Sequence, residues 1–140
     1  MATAPAGEPI GTAYCGKHGG NMDNNRIRPG TRVHLPVRVP GAHLYVGDVH
    51  ASMGDGEVSG TGVEIGARVH VRIGLEKGKA REWPWLETPD LLIQTASAKT
   101  YEEAMALFQR YRDYLVALIS DVRFPRNGEE DSAAGFDESP

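Results

Sequence analysis

Between Arg68 and Glu76 the chain alternates without a fault. Val69, Val71, Ile73 and Leu75 fall on one side, and Arg68, His70, Arg72 and Gly74 on the other. A period of two belongs to a β-strand, whose successive side chains point to opposite faces, and a helix could not gather that set on one face. Thr31 to Val39 repeats the pattern: Val33, Leu35, Val37 and Val39 oppose Arg32, His34 and Arg38. Pro36 withholds an N–H within it and pushes this strand towards an edge or a bulge. Pro40-Gly41 reads as a turn, Leu44 to Val49 as the next strand, Lys77-Gly78 as another turn and Leu91-Leu92-Ile93 as a short buried strand. The expectation is an α+β protein, mainly antiparallel β (a meander, or a sandwich or barrel portion), with one or two C-terminal helices.

The helical part is equally legible. Thr100-Tyr101-Glu102-Glu103 is a capping box, in which the Thr100 hydroxyl can accept from an amide of the first turn and Glu103 can reach back. Ala104, Leu107, Phe108, Tyr111, Leu115 and Leu118 then recur at helical spacing, giving one apolar face through about Ile119. Three regions are expected: a linker-like start at 1–12, a single β-rich domain at 13–124, and a disordered acidic tail at 125–140.

That tail distorts the overall charge. The formal net charge is −4, yet Glu129, Glu130, Asp131, Asp137 and Glu138 all lie in it with no Lys or Arg from Gly128 onwards. Without those five acids, 15 basic residues face 14 acidic ones, so the body is near neutral. Arg26, Arg28, Arg32 and Arg38 cluster in sequence, but their spacing makes a solvated strand face rather than the basic stripe of a nucleic-acid binder. No apolar run approaches the ~20 residues of a membrane span. Met1 to Gly7 lacks the charged and apolar regions of a secretory signal, so a cytoplasmic location is the expectation. Cys15 is the only cysteine and cannot form an internal disulfide. A thiol nucleophile needs an activating base and a lowered pKa, and Cys15 reads as a bystander.

Chemistry concentrates where glycine does. Gly19-Gly20-Asn21-Met22-Asp23-Asn24 and the run from Val46 to Glu64 place Asp23, Asp48, His50, Asp55, Glu57 and Glu64 among glycines. Glycine permits positive φ and close approach to the main chain, and carboxylates with an imidazole on such a frame suit a metal or an acid–base site. Asp48 and His50 are two apart, hence on one face of a strand. Asp55 and Glu57 repeat that spacing across the turn at Met53-Gly54. If Leu44–His50 pairs antiparallel with Glu57–Val63, these pairs meet at one end of a sheet. Asp55 also has a plain use in holding turn amides, as do Asn21, Asp23 and Asn24. His34, His43 and His70 need no more than strand alternation to explain them.

Taken in order, Lys17-His18-Gly19-Gly20-Asn21-Met22-Asp23-Asn24, Leu35-Pro36-Val37, Val39-Pro40-Gly41-Ala42, Val46 to Glu64, Trp83-Pro84 and Glu87-Thr88-Pro89-Asp90 resemble the acetamidase/formamidase family. The resemblance runs from about Ile10 to about Ala98. It implies hydrolysis of short linear amides to an acid and ammonia, with a small amide as substrate. It points to Glu57, Asp23 and His18 as catalytic residues and to Asn21 and Gly20 as substrate-binding. From their residue types and spacing, Asp48, His50 and Glu57 are the candidate ligands of a divalent metal, zinc foremost. Family members are longer, and these blocks belong to their second half. The resemblance therefore implies a fragment-like chain that forms a homo-oligomer or associates with a missing N-terminal half. The alternative to an amidohydrolase is a non-catalytic β-rich fragment or subunit that needs that half. No Gly-x-Ser-x-Gly elbow, Ser-Ser-Lys or Cys-Glu-Lys arrangement is present, which favours attack by an activated water.

Overall fold

The computed structural model describes residues 1–79 and 81–120, with backbone alone for 111–120. Its ladders are short and antiparallel throughout. β1 (Cys15–Gly16) pairs with β2 (Gly19–Gly20), and β4 (His50–Ser52) pairs with β5 (Val63–Glu64). The third sheet has the order β3-β6-β7, from β3 (Arg32–His34), β6 (Trp85–Glu87) and β7 (Leu92–Gln94). Among the described residues one α-helix, α1 (Tyr101–Ser120), follows. The class is as expected, antiparallel β with one helix, and no closed barrel forms among the described residues.

The buried centre lies on the third sheet. Leu86 in β6 and the preceding Pro84 are fully buried, with Trp83 nearly so. Cross-strand pairs hold β3 to β6 in the register Arg32↔Glu87, Val33↔Leu86, His34↔Trp85. The His34 ring stacks on Trp85 at 3.8 Å between centroids, and Arg32 Nη1 meets Glu87 Oε2 at 3.0 Å. Stacked and opposite-charge pairs of this kind contribute about 0.2–1 kcal/mol each. The Arg81 guanidinium lies 4.2 Å from the Trp85 centroid, and Arg38 donates to the carbonyls of Arg81 and Glu82. Arg38 therefore binds main chain rather than displaying a free charge.

Several expected strands shorten. Thr31–Val39 is paired only at Arg32–His34. Pairing ends two residues before Pro36, whose carbonyl instead accepts from the buried Thr3 hydroxyl at 2.7 Å. Of Leu44–Val49 only Tyr45 makes a bridge, to Ala2, and the strand proper starts at His50. That bridge belongs to a short docked segment: Thr3 N donates to His18 O and Ala4 N to Ala42 O, so Ala2–Ala4 is tied into the fold. Leu91–Ile93 is shifted by one residue, to Leu92–Gln94.

The largest correction concerns Arg68–Glu76, which belongs to no ladder among the described residues. Val69, Val71, Ile73 and Leu75 are 50, 49, 73 and 68% exposed. Alternation specifies which face would be buried, whereas pairing needs a neighbouring strand at the right place. Around this segment no described strand supplies one. β6, by contrast, carries no periodic signal in the sequence, because Pro84 and Pro89 bracket it and three residues are too few to display a period.

The helix begins where the capping box places it: Glu103 N donates to Thr100 Oγ1 at 3.2 Å. The side chains of Tyr111, Leu115 and Leu118, the end of the domain at 124 and the acidic tail at 125–140 lie outside the described residues. Among the described residues no helix is long and apolar enough to cross a membrane.

Candidate acid–histidine site

The β4–β5 pair brings the glycine-block chemistry together. Its register sets His50 opposite Glu64, with a bulge between His50 and Ser52. A bulge adds a residue to one strand and re-aims side chains. His50 Nε2 lies 2.9 Å from Glu64 Oε1, 3.5 Å from Glu57 Oε1 and 3.6 Å from Asp48 Oδ1. The imidazole is 7% exposed and Glu57 12%, while Asp48 and Glu64 are 56 and 71% exposed. The Glu64 hydrogen bond, aided by the charges of Asp48 and Glu57 and opposed by burial, raises the His50 pKa above the ordinary histidine value. Three carboxylates around one imidazole make a locally negative pocket.

Ligand atoms of Asp48, His50 and Glu64 all lie within 4.8 Å of one another. One imidazole nitrogen and two carboxylate oxygens form a donor set that suits zinc or another borderline divalent cation. Of the expected ligands, Asp48 and His50 are in this group. Glu57 approaches His50 from the 3-10 turn Asp55–Glu57 but is not part of it. Glu64 belongs to the acid series in the sequence, yet the Asp-x-His spacing did not single it out. Its signal is the register, since antiparallel pairing of the block's two halves sets Glu64 against His50.

The Gly19–Asn24 block abuts the same turn. Gly56 N donates to the Asp23 carbonyl at 2.8 Å, so the backbone of Asp23 fastens the turn that carries Glu57. Asn21 Nδ2 donates to Asp23 Oδ2 at 3.3 Å. Five described non-glycine residues have positive φ, and three are Asp23 (46°), Asp48 (62°) and Glu57 (45°). Such backbone costs of order 1 kcal/mol or more per residue and collects at functional sites.

His18 sits elsewhere, buried in the β1–β2 hairpin with Nδ1 lacking a hydrogen-bond partner. Burial, and secondarily the Met1 ammonium, lowers its pKa below the ordinary value. Gly20, at φ 101°, passes so close to Tyr14 that a Cβ would lie 2.3 Å from its carbonyl oxygen and 3.3 Å from His18 Nε2. Only glycine fits there. A cavity of about 200 Å³ is walled in part by Cys15, Met22, Trp83 and Phe108. Cys15 is exposed.

The acetamidase/formamidase family model matches residues 3–117. The chain belongs to the acetamidase/formamidase family. It is 37% identical over 67 residues to the formamidase of Methylophilus methylotrophus, covering 47% of this chain and 16% of that protein. It is 41% identical over 63 residues to the acetamidase of Mycolicibacterium smegmatis, covering 44% of this chain and 16% of that protein. The crystal structure of acetamidase from Yersinia enterocolitica superposes with a TM-score of 0.66 at 34% identity, covering 86% of this chain and 36% of that one. This acetamidase/formamidase chain thus corresponds to little more than a third of the solved acetamidase, and its matches span about a sixth of the two named relatives.

Proposed function

We propose that this chain carries the acid–base site of an amidohydrolase that converts short linear amides, of the formamide or acetamide type, to carboxylate and ammonia. The observation that carries the reading is the convergence of Asp48, Glu57 and Glu64 on His50 Nε2 within 3.6 Å. Membership of the acetamidase/formamidase family supports the substrate class. Asp48, His50 and Glu64 would hold a divalent cation, zinc foremost, and when bound such an ion supplies a water of lowered pKa.

Glu57 is the general base. It is the most buried carboxylate of the cluster and lies outside the compact ligand group, so it is not needed as a ligand and can serve proton transfer. It takes a proton from water as oxygen adds to the amide carbon. It returns that proton to the nitrogen as the C–N bond breaks, and ammonia leaves. Asp23, with Asn21 hydrogen-bonded to it, adjoins the Glu57 turn and orients the carboxamide beside Gly20. His18, buried in the β1–β2 hairpin with its pKa lowered chiefly by burial, is the remaining acid–base candidate of the Gly19–Asn24 side.

Zinc titration by calorimetry tests the site directly. The chain should take up about one ion, and Asp48→Asn with Glu64→Gln should abolish uptake. Unchanged uptake in that double variant would refute the ligand assignment.

A second reading has its own observation. The exposed apolar face Val69–Leu75, in a chain covering 36% of the solved acetamidase, favours a subunit that acts only with an N-terminal portion or in a homo-oligomer. Ammonia release by the chain alone and with a family N-terminal half distinguishes the two.

A further inference from the structure

Gly62 lies two residues before Glu64, where β5 approaches β4. A Cβ built there would stand 2.7 Å from His50 Cδ2, 2.8 Å from Cγ and 3.2 Å from Nε2. Real Cβ atoms do not approach ring carbons so closely, and Cγ, next to the His50 backbone, cannot swing aside without the whole ring turning. The ring therefore packs against the space left by the missing side chain. Its Nε2 is the atom that meets Glu64, Glu57 and Asp48. Gly62 itself is not in the left-handed region, so its backbone is open to alanine and conformation does not explain the glycine.

We propose that Gly62 is a positioning residue of the candidate cation site: its bare Cα seats the His50 ring so that Nε2 points at the three carboxylates. The consequence for metal binding rests on the cation reading above, whereas the seating of the ring does not. A residue that orients a ligand commonly alters metal affinity by 10–100-fold.

The test uses the full 140-residue chain and cobalt(II), whose visible absorption reports the ligand geometry. Gly62→Ala should weaken cobalt affinity at least about tenfold and alter the absorption band, with the far-ultraviolet circular dichroism unchanged. Gly66→Ala is the control, because a Cβ there meets nothing within 4 Å. It should bind as the parent does.

A thermal double-mutant cycle reads the seating without metal. Gly62→Ala should lower Tm in the parent but not in a His50→Ala background, where the ring is gone. Parent-like cobalt binding by Gly62→Ala, or an equal Tm loss in both backgrounds, would overturn the proposal. If the parent chain binds no cobalt, the cation reading and its affinity consequence fall, and the cycle alone confirms or refutes the seating.

Discussion

At the scale of the residue, turnover is expected to rest on Glu57 and His50. Glu57→Gln and His50→Ala, made in a full-length family enzyme carrying this segment, should each lower amide turnover at least ~100-fold, the scale of lost acid–base help. His70→Ala should leave turnover nearly unchanged, because His70 lies in the exposed, unpaired segment. Comparable losses in all three would mark a folding effect. His18 offers a pH test. Its folded pKa is depressed, so the unfolded chain binds the proton more readily. The stability it contributes is complete above the unfolded value of ~6.5 and declines as pH falls through that value towards the folded one. Urea denaturation between pH 5 and 7 should show the parent losing stability relative to His18→Gln as pH falls, the opposite contribution of His50 being common to both; a pH-independent difference would refute the assignment.

At the scale of the element, Asp-x-His and the capping box were visible in the sequence because each depends on spacing within one segment. The Thr100 cap can be weighed: Thr100→Ala should cost α1 about 1 kcal/mol, seen as a lower urea midpoint and reduced helicity. An unchanged midpoint would show that packing alone sets the start of the helix. Glu64 and Gly62 were harder to read, since their roles arise from a register between two segments. β6 had no periodic signal, yet Leu86 within it is fully buried. Leu86→Ala should therefore destabilise by about 2–5 kcal/mol, more than any substitution on the exposed face.

At the scale of the molecule, the decisive feature is apolar surface without cover. Val69, Val71, Ile73 and Leu75 present one exposed face on a segment with no described ladder partner. Such a face promotes association through unpaired main chain and apolar contact. The isolated chain should elute from size-exclusion columns as oligomers or aggregate, and Val71→Lys with Ile73→Lys should shift it towards monomer. Co-expression with a family N-terminal half should restore solubility and ammonia release together. A soluble, fully active monomer of the unmodified chain would disprove the need for cover.

The residues alone determined what depends on short-range order: the antiparallel β class, the start of α1, and the gathering of acids and a histidine in the glycine-rich block. Periodicity and turn chemistry act over a few residues, so they survive without tertiary context. Only the folded arrangement decided which carboxylates surround His50, because the bulged β4–β5 register and the Asp23-anchored turn join positions far apart in the chain. It also decided that the most regular strand pattern, Arg68–Glu76, stays unpaired. Alternation is a property of one segment, and a ladder is a property of two.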